Sequence, residues 1–298
     1  MIITKRISFF FVSILIIFFI AFWGFKNNFP GESLSRVAQI HLTKQTGIAF
    51  EIKNLELEWQ KLSTPEIKIH LPSWVSSKTE NTTLIIEEVE LPFSSLFSSG
   101  KVIINGKTHG GQIKFSIDIF SLNNLEVNIQ GFKLEKIPLP FLTPNAIVSG
   151  NLSFATKIKN IDNLGKQKTW FPDGYIRGKL LKSTIIFAGD TTFFEFKLPE
   201  LNFSEIFFDL QIGTLISIER IELKGSFEGI IDGSIKPNIN QPKMSFVDLN
   251  LKLVPSSKII EEFKSFTPML VHMKCGETIN VNLKGSMNRI NFPTRNKC

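Results

Sequence analysis

The most regular pattern in the chain is an alternation of apolar and polar residues that begins beyond residue 47. An alternation with a period of two places successive side chains on opposite faces of a β-strand. It is clearest in Leu55–Trp59, Ile67–Leu71, Gln112–Ile119, Leu125–Gln130, Leu249–Leu253 and Ile279–Gly285. Because few helical patterns separate such segments, the sequence predicts a mainly β fold with an elongated antiparallel sheet. The pattern leaves open whether the sheet is open and groove-like or part of a sandwich.

A glycine-containing stretch, GKVIINGKTHGGQIKFSI, begins at Gly100 and includes Gly-Lys-Thr at positions 106 to 108. A phosphate-binding loop needs another glycine five residues before that Gly-Lys-Thr, and a helix after it. Lys101 occupies the required glycine position, and the alternating segment Gln112–Ile119 follows instead of a helix. The stretch therefore predicts a β-hairpin that turns at Asn105–Gly106, since Asn-Gly is the strongest short hairpin signal.

The N-terminus has a different pattern, an uncharged and strongly apolar run from Ile7 to Phe25. A helix over this run is about 28 Å long, close to the hydrocarbon thickness of a bilayer. Lys5 and Arg6 precede the run, and positive residues mark the cytoplasmic side of a membrane segment. We therefore expect a cytoplasmic N-terminus at 1–6, a transmembrane signal anchor at 7–25 and a periplasmic β-rich domain at 26–298.

Cleavage of the apolar run as a signal peptide is the alternative. A signal peptide usually has a shorter apolar region, followed by small residues at the cleavage site. Here Phe22–Phe25 follow Ala21, and no Ala-x-Ala site is visible. The sequence favours an uncleaved anchor that holds the chain in the inner membrane.

Two short segments have the residue spacing of amphipathic helices. Residues 31–46 carry apolar residues at helical spacing, and Gly47 can end that helix. We expect this juxtamembrane helix either to contact the membrane or to cap one end of the sheet. A second helix is expected from Ser257 to about Leu270, with Ser256 or Ser257 as its N-cap.

The sequence contains no arrangement of side chains that is typical of an active site. Neither a nucleophile-elbow motif nor a zinc-protease motif is present. The histidines are far apart and have no partner at metal-ligand spacing: His41, His70, His109 and His272. Glu87–Glu88 and Glu261–Glu262 are adjacent pairs, which point apart on a strand and do not face each other on a helix. We therefore predict a protein that is not an enzyme, with no catalytic residue, no cofactor and no metal.

The charge distribution limits the partners. The net charge is +7, and Lys5, Arg6 and Lys26 flank the apolar N-terminal run. The other basic residues form no stripe interleaved with aromatic residues, so we expect no nucleic-acid partner. Cys275 and Cys298 either form a disulfide, which an exported domain permits, or remain two separate thiols.

The order of these parts resembles the type II secretion system protein N family, in the form typical of delta-proteobacteria and spirochaetes. An arginine-bearing helix runs into a Thr-Gly-x-x-x-x-Ile pattern within FPGESLSRVAQIHLTKQTGIAFEIKNLELEW. A leucine-rich segment then precedes a glycine-containing hairpin in LPFSSLFSSGKVIINGKTHGGQIKFSI. The chain closes with GETINVNLKGSMNRINFP, which carries a Leu-x-Gly-x-x-x-x-Ile-x-Phe strand. The resemblance extends over nearly all of the exported part.

This resemblance implies a non-enzymatic inner-membrane accessory component of the type II protein secretion system, with secretion-system or envelope proteins as partners. The family is distantly similar to AsmA-like proteins, which implies the alternative of a periplasmic protein that binds or transfers envelope lipids. The candidate apolar residues, which line a groove or form a core, are Ile113, Phe115, Ile117, Leu125, Val127 and Ile129.

Overall fold

The structure is a computed structural model of the chain. It describes residues 19–46, 49–70, 83–95, 100–118, 124–134, 146–159, 173–187, 192–193, 196–197, 200–238, 244–262, 274–275, 277–287 and 289–291. The fold is mainly β, with a large antiparallel sheet and a few short helices, as the alternation of apolar and polar residues predicts.

The strands follow one another along the chain with few helices between them. They are β1 (Ala49–Ile52), β2 (Glu56–Leu57), β3 (Lys61–His70), β4 (Thr83–Pro92), β5 (Lys101–Thr108), β6 (Gly111–Asp118), β7 (Asn124–Lys133), β8 (Ala146–Lys159), β9 (Asp173–Phe187), β10 (Thr192–Phe193), β11 (Phe196–Lys197), β12 (Leu201–Ile212), β13 (Ile216–Gly225), β14 (Phe227–Lys236), β15 (Phe246–Pro255), β16 (Lys274–Cys275), β17 (Thr278–Ser286) and β18 (Arg289–Asn291).

The large sheet is a meander in which neighbours in the chain are neighbours in space. Its order is β1-β3-β4-β5-β6-β7-β8-β9-β12-β13-β14-β15-β17-β16, while β10 and β11 pair with each other. Every described pairing is antiparallel, and the short strands β2 and β18 pair with β3 and β17. Sequential pairing of this kind needs only short connections, which is why so few helices separate the strands.

The longest described helix precedes the first strand and a shorter one follows β15, and residues 93–95, after β4, are also helical. Residues 19–27 are helical, and α1 (Gly31–Thr46) follows them over the segment where a helix is predicted. The helix α2 (Ser257–Glu262) begins after Ser256, whose hydroxyl accepts a hydrogen bond from the Ile259 amide, as an N-cap does. The remainder of that predicted helix, most of the predicted anchor and Cys298 lie outside the described residues. Within the described ranges, no helix has the combination of length and hydropathy that a membrane crossing requires.

The turn predicted at Asn105–Gly106 is wrong. β5 continues to Thr108, and the hairpin turns at His109–Gly110, which have φ angles of 46° and 78°. Two consecutive positive φ angles define the type I′ turn that suits a two-residue hairpin loop. Gly106 lies inside the strand, where a Cβ atom would come within 2.6 Å of Ile86 Cγ2. The glycine at this position therefore allows close packing and does not make a turn.

Replacing Gly106 by alanine should destabilise the protein by about 1–3 kcal/mol, because the added methyl overlaps the buried side chain of Ile86. Urea unfolding of the detergent-solubilised chain, followed by circular dichroism, measures this change. Gly213→Ala is the matched control, since the nearest atom to its Cβ would be 3.3 Å away. An unchanged urea midpoint for Gly106→Ala would contradict the proposed role of this glycine.

Several strands contain a β-bulge that keeps apolar residues on one face. Residues three positions apart normally point to opposite faces of a strand. The pairing of β7 with β8 shifts register between Ile129 and Phe132, so both of these side chains reach the same hydrophobic cluster. The same spacing and register shift occur at Ile86 and Val89, Phe203 and Ile206, and Ile218 and Ile221. Bulges also bend strands and increase their twist.

Two clusters of buried residues lie on this same face. One contains Phe132, Leu134, Val148 and Leu180, and Leu84 of β4 packs against it although β5 and β6 separate β4 from β7. The other contains Ile86, Val89 and Ile113. Side chains that meet across two intervening strands lie on the inner side of a curved sheet. In this part of the molecule the sheet therefore curves toward its apolar side.

Candidate apolar binding face

The register of β6 against β7 brings the candidate residues together as opposed pairs. Ile113 lies opposite Ile129, Phe115 opposite Val127, and Ile117 opposite Leu125. Directly opposed residues of an antiparallel pair share a face and contact each other. All the candidate residues therefore lie on one face of the sheet, where Ile113 is buried and the others are half-buried.

The pairing continues these contacts across the sheet in two rows that run perpendicular to the strands. The first row, from β6 to β17, is Ile113, Ile129, Phe154, Gly178, Phe208, Ile221, Ile231, Leu251 and Val281. The second row, from β5 to β17, is Ile104, Phe115, Val127, Thr156, Ile176, Leu210, Ile218, Gly233, Leu249 and Leu283. We call these rows, together with Ile117 and Leu125, the apolar face.

The first row spans nine strands, which corresponds to about 38 Å at the usual spacing between neighbouring strands. Gly178 keeps the row continuous, because a Cβ atom there would lie 2.5 Å from Phe154 Cβ and 2.7 Å from Phe208 Cζ. With glycine at this position, the two phenylalanine side chains approach each other across β9. The row is thus a continuous hydrocarbon surface. It is longer than the hydrocarbon core of a bilayer, which is about 30 Å thick.

Burial along the apolar face is incomplete. In the first row every side chain from Ile129 to Val281 is half-buried, and in the second row only Thr156 and Ile218 are buried. The inner residues of two packed sheets normally interdigitate at the density of a protein core, with little exposure. Side chains that contact only their neighbours within the same sheet remain half-buried. The described part of the chain therefore provides little cover for this face.

The opposite face of the sheet is mainly polar and carries cross-strand ion pairs, although Tyr175, Ile230, Phe246 and Val254 are exposed on it. Lys157 Nζ lies 2.9 Å from Glu126 Oε1, Lys224 Nζ lies 2.8 Å from Glu205 Oε2, and Lys284 Nζ lies 2.7 Å from Asp248 Oδ2. The hydrogen bond from its lysine partner lowers the pKa of each of these carboxyl groups. Such pairs are typical of a solvated surface.

A depression of about 450 Å³ lies on the polar side of β4–β7. It is lined mainly by the charged and amide side chains of Glu88, Glu90, Asn105, Lys107, Gln112, Lys114, Asn128 and Gln130. Lys107 pairs with Glu88, which raises the pKa of the lysine, and Glu90 accepts a hydrogen bond of 2.5 Å from Lys61. These charges neutralise each other within the depression, and none forms a nucleophile–base pair.

Two of the described histidines make structural contacts. His70 Nε2 lies 2.8 Å from Glu51 Oε1, and the ring of His109 packs 5.1 Å from that of Phe132. His41 is exposed on α1, while His272 lies outside the described residues. In the described part of the chain no group of His, Cys, Asp and Glu side chains could hold a metal ion.

Comparison with known proteins returns no match: no family model, no curated protein and no solved structure matches the chain.

Sequence reasoning missed the extension of the apolar face beyond β7. β12 contains Ile206, Phe207 and Phe208 in succession, and β14 contains Ile230 and Ile231, so neither strand alternates cleanly. In β12 the signal is a pair of apolar residues three positions apart, Phe203 and Ile206, which coincides with a bulge. The alternation in Leu249–Leu253 and Ile279–Gly285 did predict strands that extend the face.

The ion pair between Lys284 and Asp248 predicts a pH dependence of stability. A carboxyl pKa that folding lowers stabilises the protein above the pKa of the unfolded chain, and this contribution disappears as the pH falls through the folded pKa. Below a pH of about 4 the melting temperature should therefore fall, and it should fall less steeply in Lys284→Met. Melting curves between pH 2.5 and 6 measure both slopes. Parallel curves for the two proteins would show that the pair does not lower the carboxyl pKa.

Proposed function

We propose that the protein is a non-enzymatic, membrane-anchored component of the cell envelope whose apolar face binds the acyl chains of lipids. The observation that carries the proposal is the pair of apolar rows that cross successive strands with most of their side chains only half-buried. Apolar surface of this extent is rarely left in contact with water in a monomeric protein, and acyl chains can cover it without specific geometry.

In this proposal the β domain is an open, elongated sheet in the periplasm, and Ile7–Phe25 anchors it in the inner membrane. The length of the rows supports a lipid as the bound molecule. One acyl chain spans half of the hydrocarbon core of a bilayer, which is about 30 Å thick, and the apolar surface of about 38 Å is long enough to hold it. The separation of polar and apolar residues between the two faces supports it as well. A headgroup at the edge of the face would remain in water while the acyl chain lies against the rows.

Lipid binding is testable by changing matched pairs of residues on the two faces of β14 and β15. Ile231 and Leu251 are opposed on the apolar face, and Ile230 and Lys252 are opposed on the other face. The Ile231→Gln/Leu251→Gln variant should retain about tenfold less lipid than the wild type, since it removes about 1–2 kcal/mol of contact with an acyl chain. Mass spectrometry of organic extracts from the detergent-washed, purified chain measures the bound lipid.

The Ile230→Gln/Lys252→Gln variant is the control and should retain lipid as the wild type does. Both variants carry two glutamines on the same strands, so a general effect on the sheet would appear in both. Wild-type protein without bound lipid, or equal loss from the two variants, would rule out lipid binding by the apolar face.

The second candidate function is an accessory role in type II secretion. Two of the three segments that carry the family resemblance lie at the two ends of the strand order: α1 leading into β1, and the hairpin of β17 and β18. A protein partner could pair with a strand at either end or cover the apolar face. In this case a subunit of the secretion machine takes the place of the lipid.

Deletion of the gene distinguishes the two functions. If the secretion role holds, substrates of the pathway should accumulate in the periplasm of the deletion strain, and a photo-cross-linker at Leu251 should capture a secretion-machine subunit. If lipid binding holds alone, secretion should be normal and the cross-linker should form lipid adducts. Normal secretion without a captured subunit excludes the secretion role.

A further inference from the structure

The helix α1 packs on the sheet through a stripe of small and polar residues spaced four positions apart. We call Gly31, Ser35, Gln39 and Thr43 the polar stripe. Gly31 lies against Leu55, whose carbonyl oxygen would be 1.9 Å from a Cβ atom at the glycine. Gln39 Nε2 donates a hydrogen bond of 3.2 Å to the Ile52 carbonyl, and Thr43 Oγ1 accepts one of 3.4 Å from the Phe50 amide. Ser35, between them in the stripe, is buried. Small and polar side chains thus hold this helix against β1.

The other side of α1 carries exposed apolar residues, next to the exposed polar residues Ser33, His41 and Lys44. Leu34, Val37 and Ile40 have exposed fractions of 41%, 62% and 62%. A surface helix of a soluble protein normally turns such residues toward the core and its polar residues toward water. In α1 this arrangement is reversed, because the polar stripe makes the contacts with the sheet.

The exposed apolar surface continues into the preceding helical residues 19–27. Phe19, Trp23 and Phe25 are 54%, 55% and 60% exposed. Trp59, at the start of the sheet, packs edge-on against Phe22 with ring centroids 4.3 Å apart, and it is itself 51% exposed. Tryptophan is enriched where a protein crosses the boundary between lipid and water. The chain before Phe19 continues the uncharged apolar run that begins at Ile7.

The charges around this surface suit lipid headgroups. Lys26, Arg36 and Lys44 are exposed, and Glu32 is the one acidic residue between Lys26 and Thr46. Lys44 follows Val37 by two helical turns, so it lies on the same side of α1. Its long side chain can extend past the apolar residues to reach a phosphate group. Basic residues beside an apolar helix face are typical of helices that bind anionic membrane surfaces.

We infer that α1 lies in the surface of the anchoring membrane, with Leu34, Val37 and Ile40 among the upper acyl chains and Arg36 and Lys44 at anionic headgroups. This inference rests on the proposed membrane anchor and does not depend on lipid binding by the apolar face. It places the β1 end of the sheet at the bilayer surface, because α1 is fixed to β1 by the Gln39 and Thr43 hydrogen bonds.

Spin labels on the full-length chain test the inference. The chain is reconstituted in nanodiscs of phosphatidylcholine with phosphatidylglycerol, and Cys275 and Cys298 are replaced by serine. A nitroxide is attached to a single cysteine at Val37, at Ile40, or at Lys252 as a water-exposed control on the sheet. The Val37 and Ile40 labels should lie about 5–10 Å below the phosphates, accessible to oxygen and protected from a water-soluble nickel complex. These side chains are exposed, so labelling does not disturb the packing of α1.

The outcomes separate this inference from the other proposals. If the nickel complex reaches the Val37 and Ile40 labels as readily as the Lys252 label, α1 does not lie in the membrane surface. This face of α1 would then bind a protein partner. Protection that weakens in Arg36→Gln/Lys44→Gln, or when phosphatidylglycerol is left out, supports the headgroup contacts. Protected labels on a chain without copurified lipid would remove only the proposal for the apolar face.

Discussion

The fold depends on a register that keeps apolar residues of successive strands opposite one another. In an antiparallel sheet a slip of one residue moves a whole set of side chains to the other face. The bulges at Ile129 and Phe132 and at Ile218 and Ile221 prevent this outcome where the sequence spaces apolar residues by three instead of two. The apolar face is therefore continuous because of these bulges as well as because of the regular strand pairing between them.

Hydrophobic contact on this face also explains the positions of two glycines. Gly106 lies beside Ile86, and Gly178 lies between Phe154 and Phe208, so each allows larger neighbours to approach. Neither glycine has the left-handed backbone that a turn would require. The glycine of the Asn-Gly pair thus has a packing role within a strand. The pair does not form a turn, because close packing and not a left-handed backbone requires glycine here.

Much of the β architecture follows from the sequence alone, but the width of the apolar face does not. Local alternation predicts β6 and β7 and their shared apolar residues, because the period of two is a property of each strand by itself. The rows run across the strands, and their continuity depends on pairing partners that are distant in the chain, such as Gly178 and Phe208 on β9 and β12. In α1 the spacing predicts a helix, while the direction of its apolar side depends on hydrogen bonds to β1.

The two proposed lipid contacts are joined through β1. Phe50 lies opposite Ile69, and Ile52 lies opposite Ile67, while Ile67 and Ile69 pack against the cluster of Ile86 and Ile113. The strand that α1 holds is thus the strand at which the apolar side of the sheet begins. If α1 lies in the bilayer surface, an acyl chain leaving the membrane at this edge meets apolar side chains on each following strand. The same geometry would leave a protein partner bound at β1 in contact with both the sheet and the membrane.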